Sequence, residues 1–278
     1  MSATAIAAAP KRIFVYRHSV LVRITHWINV VCIFFLVMSG LQIFNAHPAL
    51  YWGQKAAFDS PILSMTARYN AAGVPVGQTM ILGHTFDTTG VLGLSTYNGT
   101  LAARGFPAWA TLPSYQDLAT GRRWHFFFAW IFVINGAVYL IASLLNRHVV
   151  RDLLPTNDQF RHIGHTIVGH LRLHFPRERD YNVIQKLTYL LIIFIVLPLI
   201  VLAGITMSPG LDSAFPGLLD FFGGRQSART VHFICATLIV LFIVVHVILV
   251  LVSGVWNNIR SMITGRYRID ADGASDAS

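Results

Sequence analysis

Four long apolar runs, at about 22–44, 124–145, 187–207 and 230–254, fix what this chain can become. In hydrocarbon a segment must satisfy its own backbone hydrogen bonds, and about 20 apolar residues of helix cross a core ~30 Å thick. The expected fold is an all-α membrane protein: one domain over 1–278, built as a four-helix transmembrane bundle. A long loop at 45–123 and a shorter one at 146–186 join the spans, and the polar tail 271–278 reads as disordered. Pro198 interrupts the third run without ending it, as membrane helices tolerate when neighbours re-satisfy the backbone. There is no internal repeat, and no strand pattern carries weight.

Composition agrees, with 54% hydrophobic and only 12% charged residues, about half the charged share of a soluble domain. The net charge of +9 does not indicate nucleic acid, because the arginines flank apolar runs instead of forming a stripe with interleaved aromatics. Their placement encodes orientation. Lys11, Arg12, Arg17 and Arg23 precede the first span, Arg147, Arg151, Arg161, Arg172, Arg177 and Arg179 fill the 146–186 loop, and Arg260, Arg266 and Arg268 follow the fourth span. The positive-inside rule then puts both termini and the 146–186 loop in the cytoplasm of a bacterial-type inner membrane, and the 45–123 loop in the periplasm. Residues 1–10 are too weakly apolar for a signal-peptide core, so the first span is expected to serve as an uncleaved anchor.

The long loop, rich in Gly, Pro and aromatics, reads as ordered but irregular, and a loop of this length is usually functional. In the shorter loop Phe160, Ile163, Ile167 and Leu171 recur at helical spacing, which predicts an amphipathic helix lying on the cytoplasmic surface, in contact with lipid. Cys32 and Cys235 sit in separate apolar runs and form neither a CxxC nor a CxxCH motif, so they read as small core residues.

The twelve histidines sort by depth. Only His26, His125, His232 and His246 lie within the apolar spans, where an ionisable side chain costs a few kcal/mol and is a functional-site hypothesis by default. His232 and His246 stand fourteen residues apart on one helix, which is about four turns, so they face nearly the same way about 21 Å apart. His125 is level with His232 and His26 shares a leaflet with His246. Two pairs of imidazoles facing each other across a bundle are what bis-histidine haem iron requires, whereas zinc wants three or four converging ligands. The expectation is two b-type haems, with all four histidines as axial iron ligands. Gly40, Gly136 and Gly204 either admit the macrocycles or allow close helix packing. Arg23, Arg122, Arg123 and Arg229 either pair with haem propionates or anchor lipid phosphates. His162, His165, His170 and His174 suggest a metal site, but no carboxylate or cysteine completes it, and interfacial histidines on a surface helix are the better reading.

Several stretches around these residues resemble one family: Arg23-Ile24-Thr25-His26-Trp27, Met38-Ser39-Gly40, Gly121-Arg122-Arg123-Trp124-His125, Tyr181-Asn182-Val183-Ile184-Gln185-Lys186, and Arg229-Thr230-Val231-His232 with His246. They are similar to the cytochrome b subunits of hydrogenases, membrane formate dehydrogenases and thiosulfate reductase-type enzymes. The resemblance implies a dihaem, quinone-reactive subunit docked to a redox enzyme on the outer side, with His125 and His232 holding the outer haem and His26 and His246 the inner one. It also implies a quinone near the inner haem beside the start of the third span, where Asn182 and Gln185 match the family's polar segment but Ile184 replaces a glycine. The large outer loop is similar to the subset that accompanies periplasmic molybdopterin oxidoreductases. An electron-transfer subunit between such a partner and the quinone pool is the leading reading. The second is a self-contained membrane haem oxidoreductase acting on superoxide or ferric ion. No hydrolytic or nucleophilic constellation, phosphate loop or dinucleotide fingerprint is present.

Overall fold

The computed structural model describes residues 13–147, 149–164, 167 and 182–269. Four stretches are long and apolar enough to cross a membrane. These are α1 (Val20–Asn45), α2 (Leu118–Leu145), the third span over Val183–Thr206, and α5 (Arg225–Val252). The third span consists of α3 (Val183–Leu191), one π turn at Ile192–Val196 and α4 (Leu197–Thr206). The π turn lies immediately before Pro198, where a regular helix would lose a hydrogen bond and clash with the proline ring; widening the preceding turn accommodates both. The helices overrun the apolar windows at their polar ends. The clearest case is α2, which begins just after Asp117, whose carboxylate accepts from the Ala119 and Thr120 amides at 2.9 and 3.1 Å.

The chain divides into two compact units. The first comprises Met1–Trp27, Val138–Phe194 and Leu241–Ser278. In it β1 (Ile13–Tyr16) pairs antiparallel with β8 (Arg266–Ile269), so the described parts of the two chain ends form one ribbon. A helix, α6 (Val255–Thr264), leads into β8. Its C-terminal carbonyls receive side chains from α1: Arg23 donates to Ile263 O, and Trp27 Nε1 donates to Met262 O at 3.0 Å. Buried Lys186 donates to Leu154 O at 3.3 Å. A short helix Asn157–Arg161 is opened by a capping box between Thr156 and Gln159. The surface helix expected from Phe160 to Leu171 falls largely outside the described residues, as do 1–12, Tyr181 and the 271–278 tail.

The second unit comprises Ile28–Ala137 and Ile195–Val240. Cys32, Phe128 and Phe132 form one buried cluster, with Phe35 stacked on Phe128 at 4.1 Å between centroids. Both cysteines are free and buried. The long loop belongs to this unit, and here the reading of it as irregular is corrected. It carries a four-stranded antiparallel sheet of β2 (Ala49–Leu50), β3 (Leu63–Tyr69), β4 (Pro75–Ile81) and β5 (His84–Asp87). A hairpin of β6 (Gly93–Tyr97) and β7 (Thr100–Arg104) follows. Asn98 and Gly99 close that hairpin at φ 48° and 78°, the two left-handed positions of a type I′ turn. β3, Leu-Ser-Met-Thr-Ala-Arg-Tyr, does alternate apolar and polar residues; the other strands escape a period-two reading because they are very short, as β2 and β5 are, or place residues of one kind side by side, as β4, β6 and β7 do.

Polar side chains near the ends of α1 and α5 fasten the sheet to the bundle. Asn45 exchanges two hydrogen bonds with the Phe106 backbone, at 2.6 and 3.1 Å. Gln42 donates to Tyr115 O at 2.9 Å, and Thr230 Oγ1 to Tyr51 O at 2.6 Å. Arg104, only 3% exposed, donates to Phe106 O, Ser114 O and Thr111 Oγ1 at 2.7–2.9 Å. Each bond satisfies a backbone or hydroxyl group that would otherwise be stranded where the chain leaves a helix.

Candidate haem centres

In the unit that holds the long loop, α2 presents His125 and α5 presents His232, with ring centroids 6.2 Å apart and planes inclined at 60°. In the other unit α1 presents His26 and α5 presents His246, with centroids 6.4 Å apart and planes at 65°. Two imidazoles on opposite sides of one metal ion, each bonded at about 2 Å with about 1.15 Å from nitrogen to ring centre, have centroids about 6.3 Å apart. Both pairs match that separation. Among the described residues no group of three or more His, Cys, Asp or Glu side chains converges on a metal position. The donor sets present are therefore two-imidazole sets, which fit six-coordinate haem iron.

The pair His125/His232 is oriented by backbone carbonyls. His125 Nδ1 lies 3.2 Å from Leu36 O and 3.1 Å from Ser39 Oγ, while His232 Nδ1 lies 2.9 Å from Ile200 O. A carbonyl can only accept, so Nδ1 carries the hydrogen in both rings and Nε2 keeps the lone pair for a metal. The Ser39 hydroxyl donates to Phe35 O at 2.6 Å, which leaves its oxygen to accept from His125. Leu36 and Ile200 each lie four residues before a glycine, Gly40 and Gly204. A Cβ at Gly40 would lie 3.4 Å from His125 Cε1, and one at Gly204 would lie 3.3 Å from His232 Cε1. Each imidazole thus rests on a glycine of a facing helix, one turn along from the carbonyl it bonds. Gly136, the third glycine marked by the sequence, faces nothing within 4 Å.

The pair His26/His246 is held differently. Among the described residues no hydrogen bond reaches either ring. Trp27 lies edge-on to His26 at 5.5 Å, and Phe242 stacks on His246 at 5.7 Å. Hydrogen bonding of the distal ring nitrogen raises imidazole basicity and fixes its tautomer, so the two pairs would differ as ligands to a metal. Sequence reading missed Leu36, Ile200 and the role of Ser39. A glycine in an apolar span was a visible signal, but a backbone carbonyl leaves none.

The expected propionate arginines divide. Arg229 donates its two terminal nitrogens to Ala49 O and His47 O and lies 5.3 Å over the Phe44 ring; it clamps the chain where it leaves α1. Arg23 gives one terminal nitrogen to Ile263 O at the end of α6. Arg122 and Arg123 are exposed on α2, with Arg122 5.6 Å from the Phe126 ring, as an anchor for lipid phosphate would be. Burial, then the neighbouring Arg229 charge, holds the His47 imidazole below its usual pKa.

Asn182 and Gln185 form a capping box at the start of α3. Asn182 Oδ1 accepts from the Gln185 amide at 3.0 Å, and Gln185 Oε1 accepts from the Asn182 amide at 3.3 Å. Both oxygens are thereby engaged in starting the helix. Of the four loop histidines, His162 is described: its Nδ1 lies 3.0 Å from Asp158 O, while His165, His170 and His174 fall outside the described residues.

Paired imidazoles inside a four-span apolar bundle define a membrane cytochrome b. Residues 17–265 match the prokaryotic cytochrome b561 family, and the chain belongs to it: a haem b-binding, multi-pass bacterial membrane protein of electron transfer. It is similar to a protein of Azospira oryzae named as protein-methionine-sulfoxide reductase subunit YedZ1, with 27% identity over 235 residues, covering 84% of this chain and 89% of the relative. No solved structure matches.

Proposed function

We propose that this protein is a dihaem subunit that passes electrons between a redox partner docked on the long-loop side and the membrane quinone pool. The observation that carries the reading is the pair of His–His separations, 6.2 and 6.4 Å, one pair in each unit. Haem b held by such a pair would supply a one-electron couple. His125 and His232 would hold one centre, their Nδ1–H groups anchored on α1 and α4 and their Nε2 lone pairs left for iron. His26 and His246 would hold the other, with Trp27 and Phe242 packed against the rings. An iron taken up by both imidazoles of a pair would serve as an electron relay and would leave no place for superoxide or ferric ion to bind directly to it.

The positive-inside pattern supports placing both termini in the cytoplasm and the β-sheet cap in the periplasm. The cap then faces the partner, a soluble oxidoreductase of the molybdopterin class, as the resemblance of the large outer loop implies. The relative's name, a reductase subunit, is in keeping with a partner of that kind. The quinone end falls to the His26/His246 centre, beside the start of α3. Asn182 and Gln185 there spend their oxygens on the capping box, and the Gln185 amide nitrogen, without a partner among the described residues, remains to meet a quinone carbonyl.

The test uses the full chain in nanodiscs. Pyridine haemochrome should report two haems per polypeptide, all extractable with acid acetone because no thioether site exists. His26→Ala and His246→Ala should remove one spectral component, and His125→Ala and His232→Ala the other. A reduced quinone analogue should reduce the component left in His125→Ala but not the one left in His26→Ala. One haem per chain, or His26 grouping with His232, would overturn the proposal.

A further inference from the structure

α6 is built with its polarity reversed. At ~100° per residue Trp256, Ile259 and Ile263 fall within an arc of about 60°. They form its outward face, exposed by 83%, 36% and 61%. The opposite face, turned into the protein, carries Asn257 and Ser261, exposed by 9% and 2%. That polar face is satisfied: Asn257 exchanges hydrogen bonds of 2.9 Å with the backbone of Arg268, and Ser261 donates to Asn258 O at 2.7 Å. A helix against water turns its polar side out; this one turns its apolar side out, so the medium it meets there is apolar.

Two further features identify that medium. The stripe continues from the lipid-exposed flank of α5 at Ile248, Leu251 and Val252, across a bend at Gly254 with φ 112°. Beside it the β1/β8 ribbon exposes Phe14 and Tyr16, which pair in register with Arg268 and Arg266. Arg260 lies 4.6 Å over the Phe14 ring. Neither 13–27 nor 241–269 contains an acidic residue. Tryptophan, tyrosine and phenylalanine among arginines, next to an apolar stripe, is the composition of a bilayer interface with anionic head groups.

We propose that α6 and the β1/β8 ribbon bind anionic phospholipid: α6 lies along the bilayer interface with Trp256, Ile259 and Ile263 among the upper acyl chains, and Arg266 and Arg268 contact lipid phosphates, while Arg260 donates to Asn257 Oδ1 at 2.6 Å and braces the helix. The surface is rigidly placed, because Arg23 and Trp27 of α1 hold the α6 C-terminal carbonyls. The inference rests on membrane insertion alone and is independent of partner and quinone.

The experiment reconstitutes the full chain in nanodiscs of phosphatidylcholine, with and without phosphatidylglycerol. Ile259→Cys is labelled with a polarity-sensitive fluorophore; the native Cys32 and Cys235 are buried. Lipid carrying a shallow doxyl quencher should quench the label several-fold more than aqueous iodide does. In detergent extracts the enrichment of phosphatidylglycerol over phosphatidylcholine should fall about fivefold for each of Arg266→Gln and Arg268→Gln, the equivalent of about 1 kcal/mol per arginine near an anionic surface. Inorganic phosphate at millimolar concentration should not compete. Quenching by iodide alone would show that the face meets water and overturn the proposal. So would cross-linking of residue 259 to a second copy or another subunit, unchanged lipid enrichment in both arginine variants, or displacement by free phosphate.

Discussion

Gly204→Ala adds a single methyl group beside His232, a haem ligand in the proposed arrangement. Its Cβ would stand 3.3 Å from His232 Cε1 and 3.5 Å from Nδ1, whereas apolar contacts settle at about 3.5–4.0 Å. The ring must therefore retreat by a few tenths of an ångström. It is tethered at the same time by the 2.9 Å bond to Ile200 O, so retreat strains either that bond or the metal bond. Overpacking of this kind costs about 1–3 kcal/mol, and a factor of ten corresponds to about 1.4 kcal/mol, so haem retention at this centre should weaken about 5- to 150-fold. The helix itself should not suffer, because alanine is favoured over glycine in a helix interior by about 1 kcal/mol. The assay is haem titration of the variant at limiting haem, followed by its difference spectrum. The second component should be lost or retained weakly, and the remaining one should be the component that His26→Ala removes. Gly136→Ala is the matched control, since its Cβ would meet nothing within 4 Å and both haems should stay. Full haem content with unchanged midpoint potentials in Gly204→Ala, or equal damage from Gly136→Ala, would refute the reasoning.

Gln185→Glu keeps the acceptor that the capping box needs and removes the amide donor. It should leave both haems bound and the thermal midpoint nearly unchanged, yet slow re-oxidation by a quinone analogue at least tenfold, about 1.4 kcal/mol of barrier; unaltered kinetics would move the quinone elsewhere. His47 has its folded-state pKa below the ordinary 6.5, so the unfolded chain binds more protons than the native one once pH falls below about that value. Stability from this group is present above 6.5 and is lost as pH falls through its lower folded value. Thermal midpoints taken from pH 7.5 to 5 should decline less steeply in His47→Gln than in the native protein, and identical slopes would contradict the assignment.

The sequence alone determined the four spans, because hydrocarbon imposes one rule on every residue in it and unbroken apolar runs have few other solutions. It also determined the histidine pairs, since depth along a helix is a linear function of residue number and His232 and His246 share one helix. What it could not supply is what crosses between helices. That Gly40 and Gly204 receive imidazoles while Gly136 receives nothing depends on which face each helix turns inward, and apolar spans with lipid on the outside show little amphipathic contrast to reveal it. The strands of the long loop left local traces in the Asn98-Gly99 turn and in the alternation along Leu63–Tyr69, but the sheet forms through pairings such as Leu63↔Ile81, whose partners no single segment specifies. The arginines show the limit most clearly. Arg23 and Arg229 sit at the depths where propionates were expected, and only the tertiary structure shows that one terminal nitrogen of Arg23 and both of Arg229 donate to backbone carbonyls left open where α6 ends and where the chain leaves α1.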